Sequence, residues 1–368
     1  MTDEAVSVPE PAPAPRRTVI EVVYPSDRGA IGLRGSHAPL SWEHTEPPNR
    51  TADGSHYFYV PLADDEIVEV KVVRGDGEWA AGRNYAIHAG DHLRIQPSFD
   101  QTAPALEEAI EIPYEGGVER IDVLLPPTYA EHPDQRYPVL YALDGQSLWG
   151  HSQDPFGVWS MDQTLKGLYE LDAIEEVIVV GIHTAEGRLD KLSPLPDDTY
   201  GGGGGPAFLE RLIGTIKPAI DTRYRTRPER ESTAILGSSM GGLFAFFAAW
   251  TRPDVFGKAA CMSSSFWWNN RWAVRVAQTT TPPTPRPFFY MDTGAAPTTA
   301  DEESAKRRDG YHHTRSMHRA LTRAGFDMQT DVHRLVFPGH QHDAASWAAR
   351  ISLPLQILFP KVMALPDR

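Results

Sequence analysis

The sequence predicts an α/β fold, a mostly parallel sheet with helices on both faces, preceded by a small all-β sandwich. Three observations predict it. From about residue 118 onward, short apolar runs alternate with longer amphipathic stretches, the pattern of parallel strands buried on both faces between covering helices. Before about residue 98, short runs rich in Val, Ile and Tyr are separated by Gly, Asp and Pro clusters, the spacing of a small sandwich. The length, 368 residues, exceeds one typical domain and accommodates a small domain plus a larger one.

Residues 1–17 carry a Pro/Ala-rich stretch from Pro9 to Pro15 and close on Arg16-Arg17. Such a stretch cannot form a packed element, so a disordered tail is expected. Residues 18–100 form the expected β domain, with strand candidates Thr18–Tyr24, Tyr57–Pro61, Ile67–Val73 and Leu93–Gln96. Asp53-Gly54 and Asp76-Gly77 are hairpin-type turns. Residues 110–368 form the α/β domain. Its strand candidates are Val118–Leu125, Val139–Leu143, Val177–Ile182, Thr233–Leu236, Lys258–Met262, Phe288–Asp292 and Val332–Phe337. Its helix candidates are Pro206–Ile220, Met240–Trp250, Tyr311–Ala324 and Ala344–Phe359. Gly201–Gly205 is low-complexity and reads as flexible, either a mobile loop or a linker into the helix that starts near Pro206. No internal repeat is present.

The chain carries 49 Asp+Glu against 35 Lys+Arg, a net −14. That sign repels phosphate backbones and anionic lipid, so neither nucleic acid nor membrane is an expected partner. The richest basic run holds Arg223, Arg225, Arg227 and Arg230 and reads as a solvated turn before a strand. A single cysteine, Cys261, excludes an internal disulfide and, within Ala259–Met262, reads as a buried structural thiol. No basic segment followed by an apolar one opens the chain, and no uninterrupted apolar run approaches the length of a transmembrane helix, so a cytoplasmic location is expected. Oligomeric state is not legible.

Gly237-Ser238-Ser239-Met240-Gly241 fits G-x-S-x-G. It follows the apolar run Thr233–Leu236 and opens the apolar helix Gly242–Trp250, the strand–turn–helix setting of a nucleophile elbow. Serine on a strained turn needs neighbours without Cβ atoms, and the helix N-terminus aims free N–H groups at a developing oxyanion. Ser239 is therefore the candidate nucleophile. A serine hydroxyl needs a base. In this arrangement the histidine comes last, after the final strand, where Pro338-Gly339-His340-Gln341-His342-Asp343 offers two. No carboxylate or cysteine stands at metal-ligand spacing around His340 and His342, so neither a metal nor any other cofactor is expected. The acid that orients the imidazole belongs after Phe288–Asp292. The candidates are Asp292, Asp301, Glu302, Glu303 and Asp309. Asp309, just before the helix near Tyr311, suits a side chain turned back over the sheet edge.

Four segments together resemble the Putative esterase family of α/β-hydrolases, which includes enterochelin esterases, feruloyl esterases, S-formylglutathione hydrolase and the mycolyltransferases. They are Val139–Gln146, Gly237–Gly242, Ser263-Ser264-Ser265-Phe266-Trp267-Trp268 and His342-Asp343-x-x-x-Trp347. The S-x-S-F-W-W segment is most similar to the enterochelin-esterase branch, whose members also carry an N-terminal β domain. The resemblance covers roughly residues 115–360 and implies His342 rather than His340, through Trp347. It implies an oxyanion hole of the Met240 and Gln146 main-chain N–H groups, Asp144 beside the substrate pocket, and an aromatic wall of Trp267 and Trp268. The acid departs from the family: the usual position is Pro297, three residues after Gly294. A carboxylate of Asp301–Asp309 replaces it, or the enzyme is a Ser–His dyad. Leu33–Ser36 and Pro39–Trp42 resemble a carbohydrate-binding or early-set β domain, and such sandwiches also serve as structural modules.

The expected function is hydrolysis of a small-molecule carboxylic ester through an acyl-enzyme. The resemblance points to a catecholate siderophore ester or another bulky aromatic or sugar ester. The alternatives are acyl transfer to a sugar acceptor, or glycan binding by a degenerate hydrolase domain.

Overall fold

The computed structural model describes residues 18–294 and 309–361. The tail over residues 1–17, Pro297, Asp301, Glu302 and Glu303 lie outside the described residues. The chain divides into two compact units, with the boundary between Thr102 and Ala103.

The first unit consists of two four-stranded sheets. One runs Arg50–Ala52, Ser55–Val60, Thr18–Val23, His92–Ile95; the other holds Ile31–Gly35, Ile67–Arg74, Glu78–Trp79 and Tyr85–His88. Alternate residues of the two, Ile20, Val22 and Phe58 from one and Leu33, Val68 and Val70 from the other, share one core. Asp53-Gly54 turns the chain between Ala52 and Ser55 with φ of 51° and 75°, the double positive φ that a tight hairpin turn requires.

The second unit is built on an eight-stranded sheet. Its strands are β1 (Ala105–Tyr114), β2 (Gly117–Leu125), β3 (Val139–Leu143), β4 (Ile178–Ile182), β5 (Thr233–Ser238), β6 (Lys258–Met262), β7 (Phe288–Thr293) and β8 (Val332–Val336). They lie in the order β1-β2-β4-β3-β5-β6-β7-β8. The β1–β2 and β2–β4 pairs are antiparallel, and every other pair is parallel. The central strands are buried on both faces. In β3, Val139, Tyr141 and Leu143 enter one hydrophobic cluster, while Leu140 and Ala142 enter another on the opposite face. Among the described residues the helices are α1 (Met161–Glu170), α2 (Met240–Thr251), α3 (Trp268–Thr279), α4 (Tyr311–Arg323), α5 (Ala344–Ala348) and α6 (Ser352–Leu358), plus a short helix at Arg188–Leu192 and a continuous helical run from Gly205 to Arg223. α1 covers the Leu140 face and α2 the Val139 face. Among the described residues no helix is long and apolar enough to cross a membrane.

Three local expectations need correction. Strand β1 was not expected: its sequence, ALEEAIEIPY, carries glutamates because it is the sheet edge. The stretch Ala344–Phe359 is two helices, because Pro354 has no N–H to continue a helix and fits only its first turn. Gly201–Gly205 is a packed element, not a flexible connection. Gly201, Gly202 and Gly203 have φ of 72°, 83° and 108°. The Gly203 N–H donates to Ser193 Oγ (2.7 Å), that of Gly204 to Asp190 Oδ1 (2.9 Å) and that of Gly205 to the Ser193 carbonyl (2.9 Å).

A Cβ at Gly203 would lie 2.9 Å from Pro196 N, on a backbone that already disfavours a side chain. Gly203→Ala is expected to cost about 1–3 kcal/mol. Gly214, whose Cβ would meet nothing within 4 Å, is the control: Gly214→Ala is expected to be neutral or to stabilise by up to about 1 kcal/mol. Chemical denaturation of the two variants checks the contrast.

Candidate active site

The turn from β5 into α2 carries Ser239 at φ 55°, ψ −118°, a conformation costly for any residue with a side chain. Strand and helix make this turn by close approach. A Cβ on Gly237 would lie 2.5 Å from the Gly241 carbonyl carbon, and one on Gly242 would lie 2.2 Å from Ser264 Oγ and 3.0 Å from the Met262 carbonyl oxygen. Gly241 is different: its Cβ would find ordinary contacts at 3.5 Å. Met240 opens α2, so its N–H belongs to the first turn, which has no intrahelical acceptor.

His342 follows β8. Its Nε2 is 2.9 Å from Ser239 Oγ, and its Nδ1 is 2.6 Å from Asp309 Oδ1. A carboxylate facing Nδ1 requires the proton there, so Nε2 is the acceptor, aimed at the serine hydroxyl. Trp347 holds the ring edge-on at 5.1 Å between centroids. A second hydroxyl, Ser265 Oγ, lies 3.3 Å from Ser239 Oγ. His340 turns away, with Nδ1 3.2 Å from the Ser346 carbonyl oxygen. Asp343 caps α5 by accepting the Ser346 N–H at 2.8 Å. Among the described residues no group of His, Cys, Asp and Glu side chains is arranged to hold a metal ion. Cys261 is fully buried, and burial pushes its thiol well above the usual range.

Asp309 is fully buried. Its Oδ2 accepts from the Gly294 N–H (2.6 Å), Ser263 Oγ and Arg350 Nη2 (3.1 Å). Asp292 is turned away from the histidine, toward Arg350 Nε (3.2 Å), the Tyr290 hydroxyl (2.9 Å) and the Ser263 N–H (3.2 Å). Burial raises the Asp292 carboxyl above the usual carboxylate range. Arg350 and Ser263 were not anticipated as part of this cluster. Ser263 lies in the Ser263–Ser265 run already singled out; Arg350, in a stretch read as one amphipathic helix, carried no signal.

The opposite wall begins at the end of β3. Asp144 is left-handed, at φ 58°, and Gly145 follows because a Cβ there would lie 2.6 Å from the Gly181 carbonyl carbon. The Asp144 carboxylate accepts from Arg188 Nε and Nη2 (2.7 Å each) and from the Thr184 hydroxyl. Gln146 is anchored by its side-chain oxygen, which accepts the Thr184 N–H at 3.2 Å. Between these walls lies a cleft of about 610 Å³, lined by Asp144, Gln146, Ser239 and His342 and by Phe156, Trp159, Arg188 and Trp347. Phe156 stands at 89% exposure on a turn held by Asp154, whose Oδ1 accepts the Phe156 N–H and whose Oδ2 accepts Ser147 Oγ. The expected wall of Trp267 and Trp268 is not among the residues lining this cleft. Trp268 is core, its indole N–H donating to the Leu195 carbonyl (2.9 Å), and Trp267 packs edge-on to Tyr200.

A serine on a strained strand-to-helix turn, with a histidine and a buried carboxylate at the same edge of a mostly parallel sheet, defines an α/β-hydrolase site. The chain belongs to the Putative esterase family, whose model matches residues 116–355, and it is a carboxylic ester hydrolase. It is 26% identical over 223 residues to the uncharacterized protein YbbA of Bacillus subtilis, across 58% of this chain and 82% of that one. It is 29% identical over 153 residues to the ferri-bacillibactin esterase BesA of the same organism, covering 37% of this chain and half, 50%, of BesA. The solved ferric enterobactin esterase of Salmonella typhimurium superposes with a TM-score of 0.53 at 14% identity, over 89% of this chain and 88% of that one. That likeness shows the fold.

The two glycines of the turn are expected to separate. Gly241→Ala should leave the melting temperature within about 2 °C of the parent, whereas Gly237→Ala should lower it by about 5 °C or more, or abolish soluble expression. Thermal scans of both variants check this.

Proposed function

We propose that the chain is a serine esterase acting through an acyl-enzyme, with Ser239, His342 and Asp309 as a catalytic triad. The observation that carries the reading is the unbroken hydrogen-bonded chain from Ser239 Oγ through His342 to Asp309. Ser239 Oγ attacks the ester carbonyl while His342 Nε2 takes its proton. The negative charge on the carbonyl oxygen is met by the Met240 and Gln146 main-chain N–H groups, which form the oxyanion hole. His342 returns the proton to the leaving alkoxide, and the alcohol departs. Water, deprotonated by the same nitrogen, then hydrolyses the acyl-serine. Asp309 holds the imidazole in the accepting tautomer and stabilises its protonated form.

The substrate we propose is an ester with a bulky aromatic group. The cleft is roomy and is lined by Phe156, Trp159 and Trp347. The names of the relatives, a ferri-bacillibactin esterase and a ferric enterobactin esterase, support a siderophore ester of that kind. Asp144 is engaged by Arg188 and Thr184, so its part is to hold that wall rather than to bind substrate.

Ser239→Ala is expected to lower kcat/KM for a p-nitrophenyl ester by about 1,000-fold or more with an unchanged melting temperature; unchanged turnover would overturn the assignment. Phe156→Ala is expected to raise KM for an aromatic acyl ester by roughly five- to tenfold and to leave KM for the acetyl ester within about twofold. Parallel titrations of the two substrates check it.

A further inference from the structure

We infer that Arg350 is a positioning residue for Asp309, and that Asp292 serves by fixing the guanidinium in place. The inference rests on the proposed roles of Ser239, His342 and Asp309.

Arg350 is 1% exposed, in the break between α5 and α6. Its Nη2 lies 3.1 Å from Asp309 Oδ2 and 3.1 Å from Asp292 Oδ1, and its Nε lies 3.2 Å from Asp292 Oδ2. Nη2 also donates to Ser263 Oγ. The Phe337 ring closes over the guanidinium, 5.3 Å from its centroid.

The division of Asp309's two oxygens carries the argument. Among the described residues the one partner of Oδ1 is the histidine, while Oδ2 receives Gly294, Ser263 and Arg350. A carboxylate turns about its Cβ–Cγ bond unless both oxygens are held. Fixing Oδ2 sets the carboxylate plane and so aims Oδ1 at His342 Nδ1. Such aim matters because small misplacements of a reacting group are costly in rate.

A purely structural reading accounts less well for the same residue. Buried ion pairs are poor stabilisers relative to apolar packing. Here the guanidinium also leaves Nη1 buried without an acceptor among the described residues. Two fully buried carboxylates share this one cation, an arrangement that orients rather than neutralises. Among the described residues the titratable groups facing the cluster are Asp292 and Tyr290 on β7, Cys261 on β6, Asp309 before α4, and His342 after β8.

The test is the charge-balanced double variant Asp292→Asn/Arg350→Met, which removes one negative and one positive charge and leaves Asp309 without its aim. Kinetics on a p-nitrophenyl ester are read across pH beside the melting temperature. The expected result is a folded enzyme whose melting temperature is lowered but stays above the assay temperature, with kcat down roughly ten- to hundredfold and KM within about twofold. The acid limb of kcat/KM should also move to lower pH, because a misaimed carboxylate supports the imidazolium less. A parental kcat with an unmoved limb would overturn the inference. If that variant does not fold, Ser263→Ala removes a donor from the same oxygen and no charge. It is expected to lower kcat about three- to tenfold with the same shift of the limb, and parental values there would overturn the inference equally. Ser239→Ala, run alongside, keeps the two claims apart: activity surviving in it would remove the serine mechanism itself.

Discussion

The Asp309 carboxylate is the interaction on which the rest of the site depends. It is wholly buried, and a buried carboxylate stripped of a partner costs about 3–5 kcal/mol. Its partners come from four places: Ser263 just after β6, Gly294 just after β7, His342 after β8 and Arg350 between α5 and α6. Neighbouring parallel strands end at the same edge of a sheet, so the loops that follow them converge there. The run of parallel pairs from β5 to β8 is thus what brings residues far apart in sequence onto one carboxylate.

The same edge holds the other half of the arrangement. Ser239 sits on a backbone that a side chain disfavours, and Gly237 and Gly242 let strand β5 and helix α2 close around it. Asp144 and Gly145 make a second tight turn after β3, against Gly181 of β4. The two turns belong to adjacent parallel strands and put Gln146 and Ser239 in the lining of one cleft. Strain at both turns is sustained by packing beneath them, in the clusters on either face of β3.

The sequence was most readable where burial is two-sided. Val139–Leu143 and Lys258–Met262 were recognisable to the residue, because a strand covered on both faces is a continuous apolar run. The edge strand β1 was not, since its exposed glutamates dilute the pattern. Ser239 was legible because its signal is local, three fixed positions at one strand-to-helix turn. His342 was separable from His340 only through a family spacing, and in the structure Trp347 packs on that ring. Arg350 was illegible for the opposite reason. An arginine in an amphipathic stretch reads as solvated, and only the long-range fold gives it two buried carboxylates. Gly201–Gly205 misled in the same way: composition suggests freedom, whereas each of Gly202 to Gly205 faces atoms that leave no room for a side chain.

The central claim is that the ester is cleaved through a covalent serine intermediate. Acid-quenching the enzyme during turnover of a slowly deacylating aryl ester, followed by peptide mass spectrometry, measures it directly. The account predicts an acyl adduct on the peptide carrying Ser239 and on that serine. Steady turnover with no adduct, or an adduct on Ser265, whose hydroxyl lies 3.3 Å away, would contradict it.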